Sequence, residues 1–227
     1  MSRSDAAARA VRLIVVAKSP VPGKSKTRLC PPCTPEEAAD VACAALADTL
    51  ETVAAAPAMD RVLALEGEPG EWLPIGFRVL PQRGGGLDER ISNAFADAAA
   101  TDGPAPALLV GMDTPQVTPA LLAGATEALL APGVDGVLGP ALDGGWWAMG
   151  VRRPDPRHVL GVPMSSADTL RAQRERWDLL GMRRRELPPL VDIDTFADAR
   201  DVAALIPGSR TARVVAALTA AMEPASW

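Results

Sequence analysis

The fold is decided by the stretch 107–115, which reads ALLVGMDTP. Its first four residues form a short apolar run that is typical of a buried strand. Gly111 can adopt backbone conformations that are closed to other residues, and Pro115 has no N–H to extend the ladder of hydrogen bonds. Asp113 is therefore predicted to lie in a turn after the strand. Ligands of open α/β sheets bind at the carboxyl ends of strands. Asp113 is therefore either a ligand for a divalent metal or a residue that satisfies local backbone donors in an Asx turn or helix cap.

The rest of the chain alternates between predicted strands and helices. Strands are predicted at 11–17, 61–65, 78–80, 107–110, 137–138, 146–151 and 184–187. Helices are predicted from Thr34 or Pro35 to about Ala56 and at 87–100, 119–131, 167–180, 197–206 and 212–222. This alternation predicts an α/β three-layer sandwich with a mixed, mostly parallel sheet. We expect a single domain over residues 1–227, with a flexible N-terminus at 1–10.

Composition limits the classes of partner. The 227 residues are 48% hydrophobic and carry a formal net charge of −5. An acidic chain has no global attraction for nucleic acid or an anionic membrane, so we expect neither as a partner. The apolar run 11–17 is too short to span a bilayer and lacks the layout of a signal peptide, which predicts a cytoplasmic protein. The oligomeric state stays open.

Cysteine and histidine do not point to chemistry here. Cys30 and Cys33 form a Cys-Pro-Pro-Cys sequence, which is compatible with a redox pair or half of a zinc site. Zinc would need further Cys or His ligands, and the one histidine, His158, is distant in the sequence. We interpret the two cysteines as small apolar residues and expect no Ser-His-Asp chemistry.

Three cations follow the first predicted strand. Residues 22–28, here called the first loop, read PGKSKTR and contain Lys24, Lys26 and Arg28. Lysine supplies compact positive charge, arginine supplies a planar donor fork, and loop N–H groups can complete a cradle for an anion. A nucleoside diphosphate or triphosphate is a reasonable ligand. The alternative is a solvated basic turn, since the Gly-x-x-x-x-Gly-Lys-Ser/Thr pattern of a Walker loop is absent.

Residues 143–147 read DGGWW and form a second candidate site. Glycine permits close approach, aspartate accepts hydrogen bonds and an aromatic face can stack, so this segment could cradle a polar acceptor or a sugar. A tight turn with both tryptophans in the core would have the same sequence.

Residues 191–195 read VDIDT and place Asp192 and Asp194 at alternating positions. In an extended segment both carboxylates point the same way, where they could face Asp113 across a cleft. Hard oxygen ligands suit Mg²⁺ or Mn²⁺, whose charge can neutralise phosphates during transfer. Alternatively, Asp194 caps the following helix and Asp192 is solvated, and we expect at least one of the two to have such a structural role.

Together these segments resemble a bacterial glycosyltransferase-A-like family of unknown function. That family has the nucleotide-diphospho-sugar transferase fold and is related to guanylyltransferases that act on phospho-acids. The resemblance covers most of the chain and is carried by residues 17–29, 111–115, 143–150 and 192–195.

The resemblance implies a role for each matching segment. The implied nucleotide-binding residues are Ala17, Lys18, Pro22, Gly23, Lys24, Lys26, Arg28 and Gln82. Lys24, Lys26 and Arg28 are also candidate catalytic residues together with Asp113. The implied ligands of Mg²⁺ or Mn²⁺ are Asp113, Asp192 and Asp194. The implied acceptor site comprises Asp143, Gly144, Gly145, Trp146 and Trp147.

The expected function is metal-dependent transfer from a nucleotide-activated donor to a small-molecule acceptor. Glycosyl transfer from a nucleotide-sugar is the activity usually assigned to this fold. Nucleotidyl transfer from a nucleoside triphosphate is the first alternative, because three loop cations suit a more highly charged donor. A regulatory protein that binds nucleotide without turnover is the second, because a fold does not by itself establish catalysis.

Overall fold

Seven strands form one sheet in the computed structural model, which describes residues 10–222. They are β1 (Arg12–Lys18), β2 (Asp60–Glu66), β3 (Arg78–Pro81), β4 (Ala107–Gly111), β5 (Gly136–Pro140), β6 (Trp146–Val151) and β7 (Arg184–Glu186). All seven predicted strands are confirmed, with ends shifted by no more than two residues. The expected flexible N-terminus lies outside the described residues except for Ala10.

Six α-helices connect the strands and close the fold. They are α1 (Pro35–Ala55), α2 (Leu87–Asp102), α3 (Pro119–Leu130), α4 (Thr169–Leu179), α5 (Phe196–Leu205) and α6 (Arg210–Met222). A capping box between Thr34 and Glu37 starts α1, because each side chain accepts a hydrogen bond from the other's backbone N–H. The expectation that Asp194 might cap α5 is wrong. Thr195 is the cap and forms its own capping box with Asp198.

The strand order is β3-β2-β1-β4-β6-β5-β7. Only β6 runs against its neighbours, since it pairs antiparallel with both β4 and β5 while the other pairs are parallel. The predicted mixed, mostly parallel sheet is confirmed. One edge therefore gathers the carboxyl ends of six strands and the amino end of β6, and all four candidate segments lie there.

Apolar side chains cover both faces of the sheet. Side chains alternate along β1, so Leu13 and Val15 pack on the face covered by α1 and α3, and Ile14 packs on the face covered by α2 and α4. A third apolar cluster joins α1 to α5 and α6. Leu29 and Ile193 are both fully buried in that cluster. Their burial fixes the end of the first loop and the segment 192–194 beside each other.

Between residues 10 and 222, no helix combines the length and the apolar character needed to cross a membrane.

Candidate functional site

A cavity of about 230 Å³ opens at the carboxyl edge of the sheet, between the first loop and the end of β4. Its charged lining residues are Lys18, Lys24, Lys26, Arg28, Asp113 and Asp194. The structure thus places the three loop cations and two of the three predicted metal ligands around one opening.

Asp113 lies two residues beyond the end of β4, in the bend that Gly111 and Pro115 predict. Its backbone carbonyl accepts a hydrogen bond of 3.0 Å from the N–H of Ile193. That bond attaches the segment 192–194 directly to the turn after β4. The carboxylate itself is 40% exposed and faces the cavity.

Lys26 is the buried member of the first loop, with a side chain only 9% exposed. Its backbone adopts a left-handed conformation with φ of 50°, immediately before a 3-10 turn at Thr27–Leu29. The ammonium pairs with Oδ1 of Asp113 at 2.7 Å and donates to the carbonyl of Ile193. A lysine of the first loop therefore connects both acidic segments.

The other two loop cations have different surroundings. Arg28 pairs with Asp194 at 2.6 Å, and both side chains are well exposed. Lys24 is exposed and takes part in no ion pair within the described part of the chain. Of the three cations, Lys24 is thus the one whose charge is available to an anion without breaking a contact.

Asp192 is half-buried and its Oδ1 is removed from solvent, so the alternative that Asp192 is solvated is wrong. Its Oδ1 has no hydrogen-bond partner within residues 10–222. The pKa of this carboxyl is raised to about 7: burial contributes most, the negative charges of Asp113, Asp143 and Asp194 act in the same direction, and Lys26 opposes them. The carboxylates of Asp113, Asp143 and Asp194 therefore lie within electrostatic range of Asp192.

The chemistry of these side chains fits a hard divalent cation. Carboxylate oxygens are the ligands that Mg²⁺ prefers, and the unpartnered Oδ1 of Asp192 has an unused acceptor capacity. Their present arrangement is not a formed centre: among residues 10–222, no group of three or more His, Cys, Asp or Glu is positioned to hold a metal ion. The ammonium of Lys26 lies on Asp113 instead.

Residues at the ends of β1 to β3 lie at the same edge of the sheet, and of Ala17, Lys18 and Gln82 only Lys18 lines the cavity. The side-chain amide of Gln82 donates to the carbonyls of Ala17 at 2.8 Å and Ala64 at 2.9 Å. These bonds hold Gln82 against β1 and β2 rather than leaving its amide nitrogen free. Lys18 pairs with Glu66 at 3.2 Å.

Sequence reasoning missed Glu66 and Arg90. Glu66 ends β2 and accepts from Arg90 of α2 as well as from Lys18, and these two contacts lower its pKa despite the opposing effect of burial. One signal could have indicated the contact between Glu66 and Lys18: each residue directly follows a predicted strand, and the two are neighbours when β1 and β2 pair in parallel.

The segment 143–147 forms a tight turn between β5 and β6. Oδ1 of Asp143 accepts from the N–H of Gly145 at 2.8 Å, which is the Asx-type contact of a turn, and the residue is exposed. Trp147 is 1% exposed and its indole N–H donates to the carbonyl of Pro188 at 3.0 Å. Its ring packs in the core and is not accessible to a ligand. Trp146 is half-buried, and its indole nitrogen has no partner within the described residues.

Gly144 holds this turn against the segment before α4. Its carbonyl accepts from the N–H of Leu170 at 2.8 Å, and its φ is +91°. A Cβ at this position would overlap the carbonyl oxygen of Ala167.

We expect Gly144→Ala to lower the free energy of unfolding by at least about 2 kcal/mol, because a strained backbone and an overlap with rigid main chain add together. Chemical denaturation measures the effect. Gly76→Ala is the matched control, since its φ is +93° and nothing lies within 4 Å of the added Cβ. Equal losses for the two variants would show that the Ala167 contact is unimportant.

Solved structures share this fold. The protein from Desulfovibrio desulfuricans G20 described as a "putative nucleotide-diphospho-sugar transferase" aligns with a TM-score of 0.83 and 24% identity, over 93% of this chain and 96% of that chain. CMP:2-keto-3-deoxy-manno-octonic acid synthetase complexed with CTP aligns with a TM-score of 0.55 and 12% identity, over 86% and 98% of the two chains. A cytidylyltransferase from Leptospira borgpetersenii gives 0.55 and 12%, over 94% and 95%.

At these identities the likeness establishes the fold, which is that of the nucleotide-diphospho-sugar transferases. No curated protein sequence matches the chain. Residues 41–166, more than half of the chain, match the family described as "Uncharacterized protein conserved in bacteria (DUF2064)", and the chain belongs to that family.

Proposed function

We propose that the protein is a cation-dependent transferase that uses a nucleotide-activated donor, with glycosyl transfer as the first candidate reaction. The observation that supports this most strongly is that one cavity is lined by Lys24, Lys26 and Asp113, at the sheet edge where ligands of this architecture bind. A donor phosphate is attracted to positively charged side chains and a divalent cation to carboxylates. This cavity is lined by both kinds of side chain.

The loop supplies the groups for phosphate. Lys24 is exposed at the cavity and free to contact an anion, whereas Lys26 and Arg28 already neutralise Asp113 and Asp194. The rest of the donor would extend along Ala17, Lys18, Pro22, Gly23 and Gln82. Fixed positive charges next to the bond that breaks favour the departing diphosphate, because they stabilise charge where it develops.

Asp113, Asp192 and Asp194 are the proposed ligands of Mg²⁺ or Mn²⁺. When bound there, the cation would neutralise charge on the donor phosphates. The unpartnered Oδ1 of Asp192 supports this assignment, since a buried carboxylate oxygen without a hydrogen bond is costly unless a ligand completes it.

The acceptor is proposed to lie against the turn 143–147. Asp143 offers an exposed carboxylate and Gly145 allows a close approach, while Gly144 shapes the turn through its positive φ and the half-buried Trp146 borders it. Trp147 contributes from the core by packing behind β5, where its ring lies against Gly139. The turn lies close enough to Asp192 for the charge of Asp143 to raise the pKa of that carboxyl.

Nucleotidyl transfer from a nucleoside triphosphate is the second candidate. The observation in its favour is that a fourth cation, Lys18, lines the same cavity as the three loop cations. A triphosphate carries more negative charge than a nucleotide-sugar and would use more of these groups.

Product analysis separates the two reactions. Purified protein is incubated with a panel of nucleotide-sugars or nucleoside triphosphates, a set of small acceptors and Mg²⁺ or Mn²⁺. We expect a nucleoside diphosphate together with a modified acceptor, which identifies glycosyl transfer. Release of pyrophosphate would instead identify nucleotidyl transfer, and tight nucleotide binding without any product would identify a regulatory protein.

A further inference from the structure

The ammonium of Lys26 has the surroundings of a bound cation. It contacts the carboxylate of Asp113 at 2.7 Å and the main-chain carbonyl of Ile193, and the side chain is only 9% exposed. Its positive charge also acts on the buried carboxyl of Asp192. These are oxygen groups of the type that a hard divalent cation takes in proteins.

The position of Lys26 has a direct electrostatic consequence. The ammonium at 2.7 Å from Oδ1 of Asp113 repels a divalent cation that approaches this carboxylate, because the two positive charges would lie close together. While the lysine is in place, the charge of Asp113 is already neutralised, and the positive charge of Lys26 also acts on Asp192. A divalent cation should therefore bind more tightly after the ammonium has moved.

Lys26 also lines the cavity in which donor phosphate is proposed to bind. A lysine has a flexible four-carbon stem and a compact charge, so its ammonium can exchange one anionic partner for another without a change of fold. A phosphate group in the cavity is such a partner.

We propose that Lys26 is an internal counter-cation that withholds Asp113 from the divalent cation until a phosphate group draws its ammonium away. This inference rests on the proposed function and adds a mechanism of coupling to it. Phosphate and cation then bind cooperatively, and the coupling is reciprocal because it is a free energy between two sites. In the absence of phosphate, the site disfavours the cation.

Titration with Mn²⁺ alone tests the proposal, with free Mn²⁺ followed by electron paramagnetic resonance. Without nucleotide, Lys26→Met should bind Mn²⁺ at least about tenfold more tightly than the unmodified protein, within the usual range of coupling between sites. Adding Asp113→Asn to that variant should abolish the gain. Mn²⁺ should also raise the melting temperature of Lys26→Met more than that of the unmodified protein, because a ligand of the native state stabilises it.

Lys24→Met is the matched control. It removes the same charge from the same loop but leaves the contact between Lys26 and Asp113 intact. Lys24 is exposed and its charge is screened by salt. The Mn²⁺ affinity of Lys24→Met should therefore differ from that of the unmodified protein by less than about threefold. If Lys26→Met does not fold, Lys26→Gln replaces it, since the amide retains a donor for the carbonyl of Ile193.

A second titration adds inorganic pyrophosphate at a fixed excess. Pyrophosphate chelates Mn²⁺ equally in both samples, so its own chelation cancels when the two proteins are compared. The Mn²⁺ affinity of Lys26→Met should then exceed that of the unmodified protein by less than about threefold. In the unmodified protein, pyrophosphate has drawn the ammonium of Lys26 away from Asp113.

Equal Mn²⁺ affinities for the unmodified protein and the Lys26 variant, without phosphate, would overturn the proposal, as would a gain that survives Asp113→Asn. The proposed function fails on different observations, namely the absence of nucleotide binding and of product. The titration with Mn²⁺ alone involves neither, so each failure can be recognised separately.

Discussion

Asp113→Asn should weaken cation-dependent nucleotide binding by at least about tenfold. Replacing a residue that only supports a metal ligand already lowers metal affinity by about that factor, and replacing the ligand itself should lower it at least as much. Asparagine preserves the shape of the side chain and one acceptor oxygen, and the backbone bond from Ile193 to residue 113 does not depend on the side chain. Asparagine is also well tolerated in turns. The substitution therefore removes charge with little effect on the fold.

Two controls accompany this variant, and nucleotide affinity is measured with and without Mg²⁺. Asp135→Asn removes a carboxylate that pairs with Arg183 at the opposite edge of the sheet, and it should leave nucleotide affinity unchanged. Lys24→Ala should weaken nucleotide binding whether or not Mg²⁺ is present, since it removes phosphate attraction and no proposed ligand. Unchanged cation-dependent binding in folded Asp113→Asn would show that Asp113 is only a turn residue.

Asp192→Asn should have opposite effects on stability and on cation binding. The pKa of Asp192 is raised from an ordinary value of 3.8 to about 7. The folded state therefore favours the protonated carboxyl, and the unfolded state releases the proton more readily. In the absence of a cation, the contribution of Asp192 to the free energy of unfolding should be greatest below about pH 4, fall as the pH rises towards 7 and remain low above it.

Replacing the carboxyl with a neutral amide removes this penalty. At pH 8 in a chelating buffer, Asp192→Asn should raise the free energy of unfolding by roughly 4 kcal/mol, since each unit of pKa shift corresponds to about 1.4 kcal/mol. Urea denaturation between pH 4 and pH 8 measures the change and its pH dependence. With Mg²⁺ or Mn²⁺ present, the unmodified protein should gain stability from the cation and the variant should not. An Asp192→Asn protein that is less stable than the unmodified protein at pH 8 would contradict this account.

Much of the fold was predictable because local signals and global packing agree. The apolar run before Gly111 forms a central strand, and Pro115 keeps Asp113 outside the sheet as expected. Thr34, Pro35 and Glu37 start α1 at the predicted residue, because a capping box is encoded within four positions. The ends of elements differ most where no such signal exists, as at α4, which begins at Thr169.

The site was predictable as a set of segments, whereas its contacts were not. Lys26 and Asp113 are far apart in the sequence, and nothing local indicates that the ammonium of one is buried on the carboxylate of the other. Thr195 caps α5 through a capping box with Asp198, whereas Asp194 pairs with Arg28 of the first loop, a contact between residues far apart in the sequence. The periodicity of 143–147 likewise does not reveal that Trp147 points into the core.

The measurement that tests the central claim most directly is a thermal-shift panel of nucleoside triphosphates and nucleotide-sugars, each with and without Mg²⁺ or Mn²⁺. We predict that at least one nucleotide stabilises the protein by about 2.7 kcal/mol at 100 times its dissociation constant in the presence of the cation, and by less at the same concentration without it. In Asp113→Asn, that cation-dependent part should be lost. A panel in which no nucleotide raises the melting temperature with either cation would contradict the account.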